Sequence, residues 1–475
     1  MKLTTAIIAA LLATYTCSDC AQAADKPNIL FIYTDDQAPW ALGLSGHPDA
    51  VTPHLDELFR SGAYLVNAFT TTPVCSPSRA GLMTGRYGSE LGITDWINPR
   101  HEYGVGLPPS SLCWTEVLQQ HGYTNGLIGK WHLGVPDRFH PTRAGFDYFM
   151  GFRSGGTKVK GAVLETEGQQ QTFPGFTTDV LTDYAIEFIK DHQEKPFVCC
   201  VHYRAPHAPW LPQPESDLEP FKDLDPTLPH PDYPKLDVKK VKQKTREYLG
   251  SVHGVDRNVG RLMQTLDDLK LADNTIVVFT SDHGYNMGHN GIWHKGNGHW
   301  ILTEFPAGTE NVPRRQRPNM YDNSIRVPTA IRWPGVIKPG TIVEETFSNL
   351  DWYPTLLGMA GVPLPADTIL RGRSIVPVLE GKSTDWDNDF YAEYSTKHQS
   401  HTHMRMYRTP RWKLVRDFLN PERDELYDLE ADPTETTNLI HKDTPETNAA
   451  IEKLHAKIIE QMQEINDPVL ALVQE

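Results

Sequence analysis

Four short apolar runs, each closing on charged or imidazole side chains, constrain this chain more than any other feature. Asn28-Ile-Leu-Phe-Ile-Tyr33 gives way to Thr34-Asp35-Asp36. Asn125-Gly-Leu-Ile-Gly-Lys130 ends beside Trp131-His132. Phe197-Val-Cys-Cys-Val-His202 is followed by Arg204-Ala-Pro-His207, and Thr275-Ile-Val-Val-Phe-Thr280 by Ser281-Asp282-His283. Runs this short and this continuously apolar predict strands buried on both faces. Ahead of the fourth run, Val252, Val255, Val259, Leu262, Met263, Leu266 and Leu269 recur at helical spacing and make one apolar face. Helix then strand, repeated, predicts an α/β fold: a large, mainly parallel sheet flanked by helices. Ligands of such sheets sit beyond the carboxyl ends of the strands. All four ends here carry groups able to do chemistry.

The remainder of the chain sets the context. Lys2, the apolar run Ala6 to Leu12 and Ala21-Gln22-Ala23 form the three parts of a secretory signal, with cleavage expected after Ala23. That predicts an exported protein, periplasmic or secreted. No later run approaches the ~20 apolar residues of a membrane span. The formal net charge of −15, from 45 Lys plus Arg against 60 Asp plus Glu, argues against general nucleic-acid binding. A local basic pocket for an anionic substrate stays compatible with it. Of six cysteines, Cys17 and Cys20 leave with the signal. Cys75, Cys113, Cys199 and Cys200 remain and form neither a disulfide framework nor a C-x-x-C metal pattern. The expected organisation is a signal peptide over 1–23, a catalytic domain over 24–384 and a small α+β subdomain over 385–475. In the last, Phe390 to Tyr394 and Met404 to Phe418 read as strands, the latter turning at Thr409-Pro410, and Thr447 to Ile465 as an amphipathic helix. The Pro-rich, charged stretch Leu211 to Lys244 reads as a long surface loop.

The sharpest motif is Cys75-Ser76-Pro77-Ser78-Arg79, continuing to Gly85-Arg86. Ser76 and Pro77 suit the first turn of a helix and Gly85 its end. Cys75 then lies at a helix N-terminus, where free N–H groups and the helix dipole favour an anion. Arg79, one turn on, adds a planar cationic fork. Asp35, Asp36 and Asp282 are three carboxylates at two strand ends, and like charges packed that closely need a cation between them.

Cys75-x-Pro-Ser-Arg-x-x-Leu-x-Thr-Gly85 resembles the signature of the type I, formylglycine-dependent sulfatases of the alkaline phosphatase-like superfamily. Gly122-Tyr-Thr-Asn-Gly-Leu-Ile-Gly-Lys130-Trp-His132-Leu-Gly134 is similar to a second signature of that family. The order Asp35-Asp36, Cys75, Lys130/His132, His207, Asp282, Lys295 also matches. The likeness runs over roughly residues 26 to 430.

The resemblance implies that Cys75 is oxidised by a formylglycine-generating maturation enzyme, and that the hydrated aldehyde, a gem-diol, attacks sulfur. It implies a calcium ion on Asp35, Asp36, residue 75, Asp282 and His283. Many sulfatases have Asn where this chain has His283, whereas iduronate-2-sulfatase-like members also have Asp-His; imidazole is a softer ligand than an amide oxygen. It further implies that Lys130 and Lys295 clamp sulfate oxygens, that His132 holds and deprotonates the gem-diol, and that His207 protonates the leaving alcohol or shares that duty with Lys295. His202 matches no family role and reads as structural. The expected activity is hydrolysis of a sulfate ester on a sulfated sugar. A phosphodiesterase or phosphonate monoester hydrolase of the same superfamily, and a non-catalytic glycan-binding relative, are the competing readings. Asp35-Asp36 argues against the first, and the intact nucleophile and carboxylates against the second. Arg314, Arg315 and Arg317, after Lys295, form a basic cluster suited to a second anion of the substrate. Trp96, Arg100 and His101 are candidates for a sugar subsite, and His398, His401 and His403 a looser one.

Overall fold

The structure is a computed structural model that describes residues 26–382 and 385–472. The signal over 1–23 and the boundary at 384 lie outside the described residues. Four strands form the centre of a ten-stranded sheet: β1 (Asn28–Thr34), β2 (Thr124–Lys130), β3 (Phe197–His202) and β4 (Thr275–Ser281), in the order β4-β1-β3-β2. All neighbouring pairs among them are parallel. Antiparallel pairs enter only toward the margins, through Ala330–Arg332 on one side and Lys160–Thr166 with Gln169–Phe176 on the other.

Every residue of β1, β3 and β4 is buried. Alternate residues feed two different cores: Phe31, Cys200 and Val278 pack on one face of the sheet, and Leu30, Cys199 and Val277 on the other. Cys199 and Cys200 are therefore packing groups of opposite faces. Helix α2 (Val238–Asp268) covers the second face with the apolar stripe that its periodicity predicts.

The stretch from Leu211 to Lys244 is shorter as a loop than its composition suggests. It holds a turn of helix at Glu215–Leu218, and α2 already begins at Val238, where the Asp237 side chain accepts from the Lys240 N–H. Lys239, Lys240, Lys242 and Lys244 crowd this first stretch and mask the buried Val241, Thr245 and Tyr248 that continue the stripe. Beyond the large sheet, Phe390–Thr396, Thr402–Arg408, Trp412–Asp417 and Glu425–Asp428 form a four-stranded antiparallel sheet backed by the helix Pro445–Glu464. Buried Lys413 of this small sheet bonds Asp322 at 2.9 Å and Glu435 at 2.6 Å, tying it to the main body.

Candidate active site

The site lies where β1, β2, β3 and β4 end. Helix α1 (Cys75–Thr84) starts there, with Cys75 as its first residue and Gly85 closing it in the left-handed region at φ 66°. Cys75 is 2% exposed. Its Sγ lies 3.1 Å from Lys295 Nζ, 3.5 Å from His283 Nε2 and 3.6 Å from Asp35 Oδ1. Lys295 Nζ also donates to Asp36 Oδ1 at 2.7 Å, and Lys130 Nζ to Asp35 Oδ2 at 2.7 Å. Burial pushes the Cys75 thiol up, but Lys130 and Lys295 outweigh it and hold the group well below the usual thiol range.

The donor set fits a cation. His283 Nδ1 faces the Gly284 carbonyl oxygen at 3.0 Å, so the proton belongs on Nδ1 and the Nε2 lone pair points into the site. That lone pair sits 3.1 Å from Asp36 Oδ1 and 3.3 Å from Asp282 Oδ1. Electron-rich atoms converge in this way around a bound cation or a proton. Asp36 Oδ2 is buried with no hydrogen-bond partner among the described residues. Burial, and then the neighbouring Asp35 charge, push Asp282 up to about 7. Asp35, Asp36, Cys75, Asp282, His283 and His207 fall into two overlapping groups of metal-ligand spacing.

Arg79 does not face the cleft. It is 1% exposed, its Nε and Nη2 bond Asp282 Oδ2 at 3.1 and 2.9 Å, and its Nη1 donates to the Lys130 carbonyl oxygen at 3.2 Å. The anion held by its fork is a carboxylate of the protein. His202 sits under the sheet end with Nδ1 3.2 Å from that same carbonyl oxygen.

An open cleft of about 510 Å³ leads to Cys75. His132, His207 and Lys295 line it, together with Trp96 and Arg100 of the loop that follows α1. His132 Nε2 faces the Ile97 carbonyl oxygen at 3.1 Å, while its Nδ1 is buried without a partner and the ring lies against the Cys75 thiol. Burial, and then Lys130, lower its pKa, so the ring is neutral near pH 7. His207 Nε2 lies 4.0 Å from Asp36 Oδ2. The ring of His132 is backed by Gly155, where a Cβ would fall 2.6 Å from the imidazole, so no larger residue fits.

His294, Asn297 and Ser154-Gly155-Gly156 also line the cleft and are absent from the sequence reading. The position of His294 and Asn297 around Lys295 is a signal that was available; the glycine pair carries none by itself. The arginine cluster, in contrast, is elsewhere. Arg317 pairs with Glu425 and Tyr321, Arg314 bonds the Phe305 carbonyl oxygen, and Arg315 lies over the Phe305 ring; none lines the cleft. Chain proximity to Lys295 does not carry these side chains to the substrate, because the small sheet draws Arg317 toward Glu425. His101 is also outside the cleft lining. His398 lies behind Trp96, with ring centroids 4.4 Å apart, and His403 bonds Ser395 in the small sheet. His401 is tied to the loop after Lys295 through its backbone, its N–H donating to the Asn311 carbonyl oxygen.

A buried cluster of carboxylates, lysines and imidazole around a thiol at a helix N-terminus, at the carboxyl edge of a parallel sheet, defines an α/β ester hydrolase of the alkaline phosphatase-like type. The family model for sulfatases matches residues 27–362, and that for the N-sulphoglucosamine sulphohydrolase C-terminal region matches residues 316–464. The chain belongs to the sulfatase family and is a sulfuric ester hydrolase. It is 28% identical to an N-acetylglucosamine-6-O-sulfatase of Bacteroides thetaiotaomicron, over 88% of this chain and 83% of the relative. It is likewise 28% identical to an ulvan-active sulfatase of Formosa agariphila, over 93% and 82%. A solved structure in complex with its substrate D-glucosamine-2-N,6-O-disulfate superposes with a TM-score of 0.79 at 26% identity, over 94% of this chain and 99% of that one. No helix among the described residues is long and apolar enough to cross a membrane.

Proposed function

We propose that this chain is an exported sulfatase that hydrolyses a sulfate ester on a sulfated carbohydrate, using a formylglycine made from Cys75 by a maturation enzyme and a divalent cation, Ca²⁺ by family resemblance. The observation that carries the reading is the convergence of Asp35, Asp36, Asp282, His283, Lys130 and Lys295 on the buried Cys75. The sugar is supported by the glucosamine sulfates and ulvan named for relatives and by the open cleft. We assign catalysis to residues 24–384 and the small sheet to residues 385–475.

Asp35, Asp36, Asp282 and His283 would hold the cation, which supplies positive charge to the sulfate oxygens when bound. The modified side chain supplies a hydroxyl nucleophile at the position of the present Sγ. His132 Nε2 donates to the Ile97 carbonyl oxygen, which leaves Nδ1 as the free base facing residue 75. Lys295 lines the cleft and offers its ammonium to the sulfate. Lys130, fully buried on Asp35, acts on the sulfate through its charge and fixes that carboxylate. Arg79 orients Asp282. His207 Nδ1 donates to the Ala208 carbonyl oxygen at 2.6 Å, so its Nε2 gives a proton to the leaving alcohol only from the doubly protonated ring, which burial disfavours and the Asp36 carboxylate favours; Lys295 shares that duty.

Peptide mass spectrometry of an active preparation should find an aldehyde at residue 75, and a screen of defined sulfated mono- and disaccharides should release free sulfate. Undiminished activity in Cys75→Ala would sink the mechanism. Turnover of aryl sulfates with no sugar turned over would remove the carbohydrate reading.

A further inference from the structure

A second hollow, of about 480 Å³, lies beside the catalytic cleft. The same two chain segments wall both. The loop after α1 contributes Trp96 and Arg100 to the cleft and Tyr103 to the hollow, and Ser154 and Gly156 line both spaces. The two are therefore neighbouring parts of one depression between these segments.

The chemistry of the hollow differs from that of the cleft. Its one cation, Arg153, is charge-paired with two carboxylates: it bonds Glu165 through Nε and Nη2 at 2.7 Å each, Asp137 at 2.6 Å and the Val135 carbonyl oxygen at 3.0 Å. With Asp137 and Glu165 both present, the lining carries no spare positive charge. Tyr103 and Val163, however, are 61% and 48% exposed. Tyr103 is the one aromatic among the exposed large hydrophobic side chains of the described residues. A single exposed ring needs no explanation by itself, but this one stands in the wall of a hollow that adjoins the cleft, where Tyr offers large amphipathic contact at low entropy cost. Gln170 and Thr157 add uncharged hydrogen-bonding groups to the same lining.

Resting on the sugar reading above, we infer that this hollow is a subsite for an uncharged pyranose ring, next along the glycan from the ring whose sulfate is cleaved, with Tyr103 as its platform. The enzyme then prefers an oligosaccharide to a monosaccharide, and prefers the adjoining ring unsulfated, because a second sulfate would meet Asp137 and Glu165 with no free cation.

The test takes the sugar sulfate turned over fastest in the screen and compares it as a monosaccharide, as a trisaccharide sulfated only on the cleaved ring, and as a trisaccharide also sulfated on the next ring. An aryl sulfate serves as the control. Wild type should favour the singly sulfated trisaccharide over the monosaccharide at least tenfold in kcat/KM. Tyr103→Ala should erase most of that preference by raising KM, with the monosaccharide and the aryl sulfate changed less than twofold. Tyr103→Trp should keep it. Equal kcat/KM for mono- and trisaccharide in wild type, equal losses on all substrates in Tyr103→Ala, or faster turnover of the doubly sulfated trisaccharide would each overturn the inference. Absence of turnover on every sugar, with the aryl sulfate still cleaved, would instead strike the carbohydrate reading.

Discussion

His398, in the small C-terminal sheet, is expected to control catalysis without touching the substrate. It lies in the turn between Phe390–Thr396 and Thr402–Arg408, and it braces the loop that follows α1. His398 Nε2 donates to the Trp96 carbonyl oxygen at 2.8 Å and lies 3.0 Å from Glu102 Oε2; its ring packs on Trp96. Next along that loop, the Ile97 carbonyl oxygen holds His132. His398→Ala removes one net hydrogen bond, worth about 1 kcal/mol, and a ring–ring contact worth about 0.5–1.5 kcal/mol. Its contact with Glu102 adds a few tenths to about 1 kcal/mol. The loop thus loses roughly 2–3 kcal/mol of local support. Part of the docking survives, because the Ile97 N–H still donates to Ser76 Oγ at 3.0 Å and the Lys397 N–H to Asp95 Oδ2 at 2.9 Å. With that docking retained, about 0.7–2 kcal/mol of the loss is expected to reach the transition state, and at tenfold per 1.4 kcal/mol kcat/KM should fall roughly 3- to 30-fold on both an aryl sulfate and a sugar sulfate. The assay is steady-state sulfate release with a thermal melt on the same preparations. The melt should move by no more than a few degrees, and His398→Gln should recover part of the rate through its amide donor. Rates within twofold of wild type on both substrates would refute the brace.

Arg100 lines the cleft, is exposed, and its guanidinium makes no hydrogen bond or ion pair among the described residues. Arg100→Ala should lower kcat/KM about 10- to 100-fold for a sugar with a second anionic group on the ring held in the cleft and leave an aryl sulfate unchanged; undiminished rates on both would return Arg100 to the surface. Chelation should abolish turnover and lower the melting temperature, with both restored by Ca²⁺. In His283→Asn the harder amide ligand should strengthen the Ca²⁺ response relative to Mn²⁺ or Zn²⁺, measured by reconstitution titrations. Asp256 accepts from the Leu55 N–H at 2.7 Å but has a buried, unpartnered Oδ2, and burial pushes its pKa up to about 7. Since the folded value lies above the unfolded value near 3.9, the native state binds the extra proton between the two, and stability falls as pH rises from about 4 to 7. Asp256→Asn should therefore stabilise the protein at pH 8, on the order of 1–3 kcal/mol, with the gain shrinking toward pH 5 in denaturant titrations.

Much of the fold and of the chemistry could be read from residue order alone, for a local reason. A strand buried on both faces must be apolar throughout, so its end is marked by the first polar residues, and in a parallel sheet those ends share one edge. That logic brings Asp35, Asp36, Lys130, His207, Asp282 and His283 to one place before any contact is known. Pattern also marks the start and end of α1, with Cys75 at its head and Gly85 at its close. What pattern does not contain is direction in space. Arg79 faces Asp282 and not the cleft because its guanidinium is taken up by that carboxylate and by the Lys130 carbonyl oxygen. Asp36, His132 and His294 adopt left-handed backbone at φ 71°, 58° and 85°, which their residue types do not announce and which surrounding packing imposes. The arginine cluster is drawn away by Glu425, and the loop carrying Trp96 and Arg100 is held by residues some three hundred positions later in the chain. The residue types at the site follow from local sequence; the aim of each side chain depends on partners distant in sequence, which only the tertiary structure brings into contact.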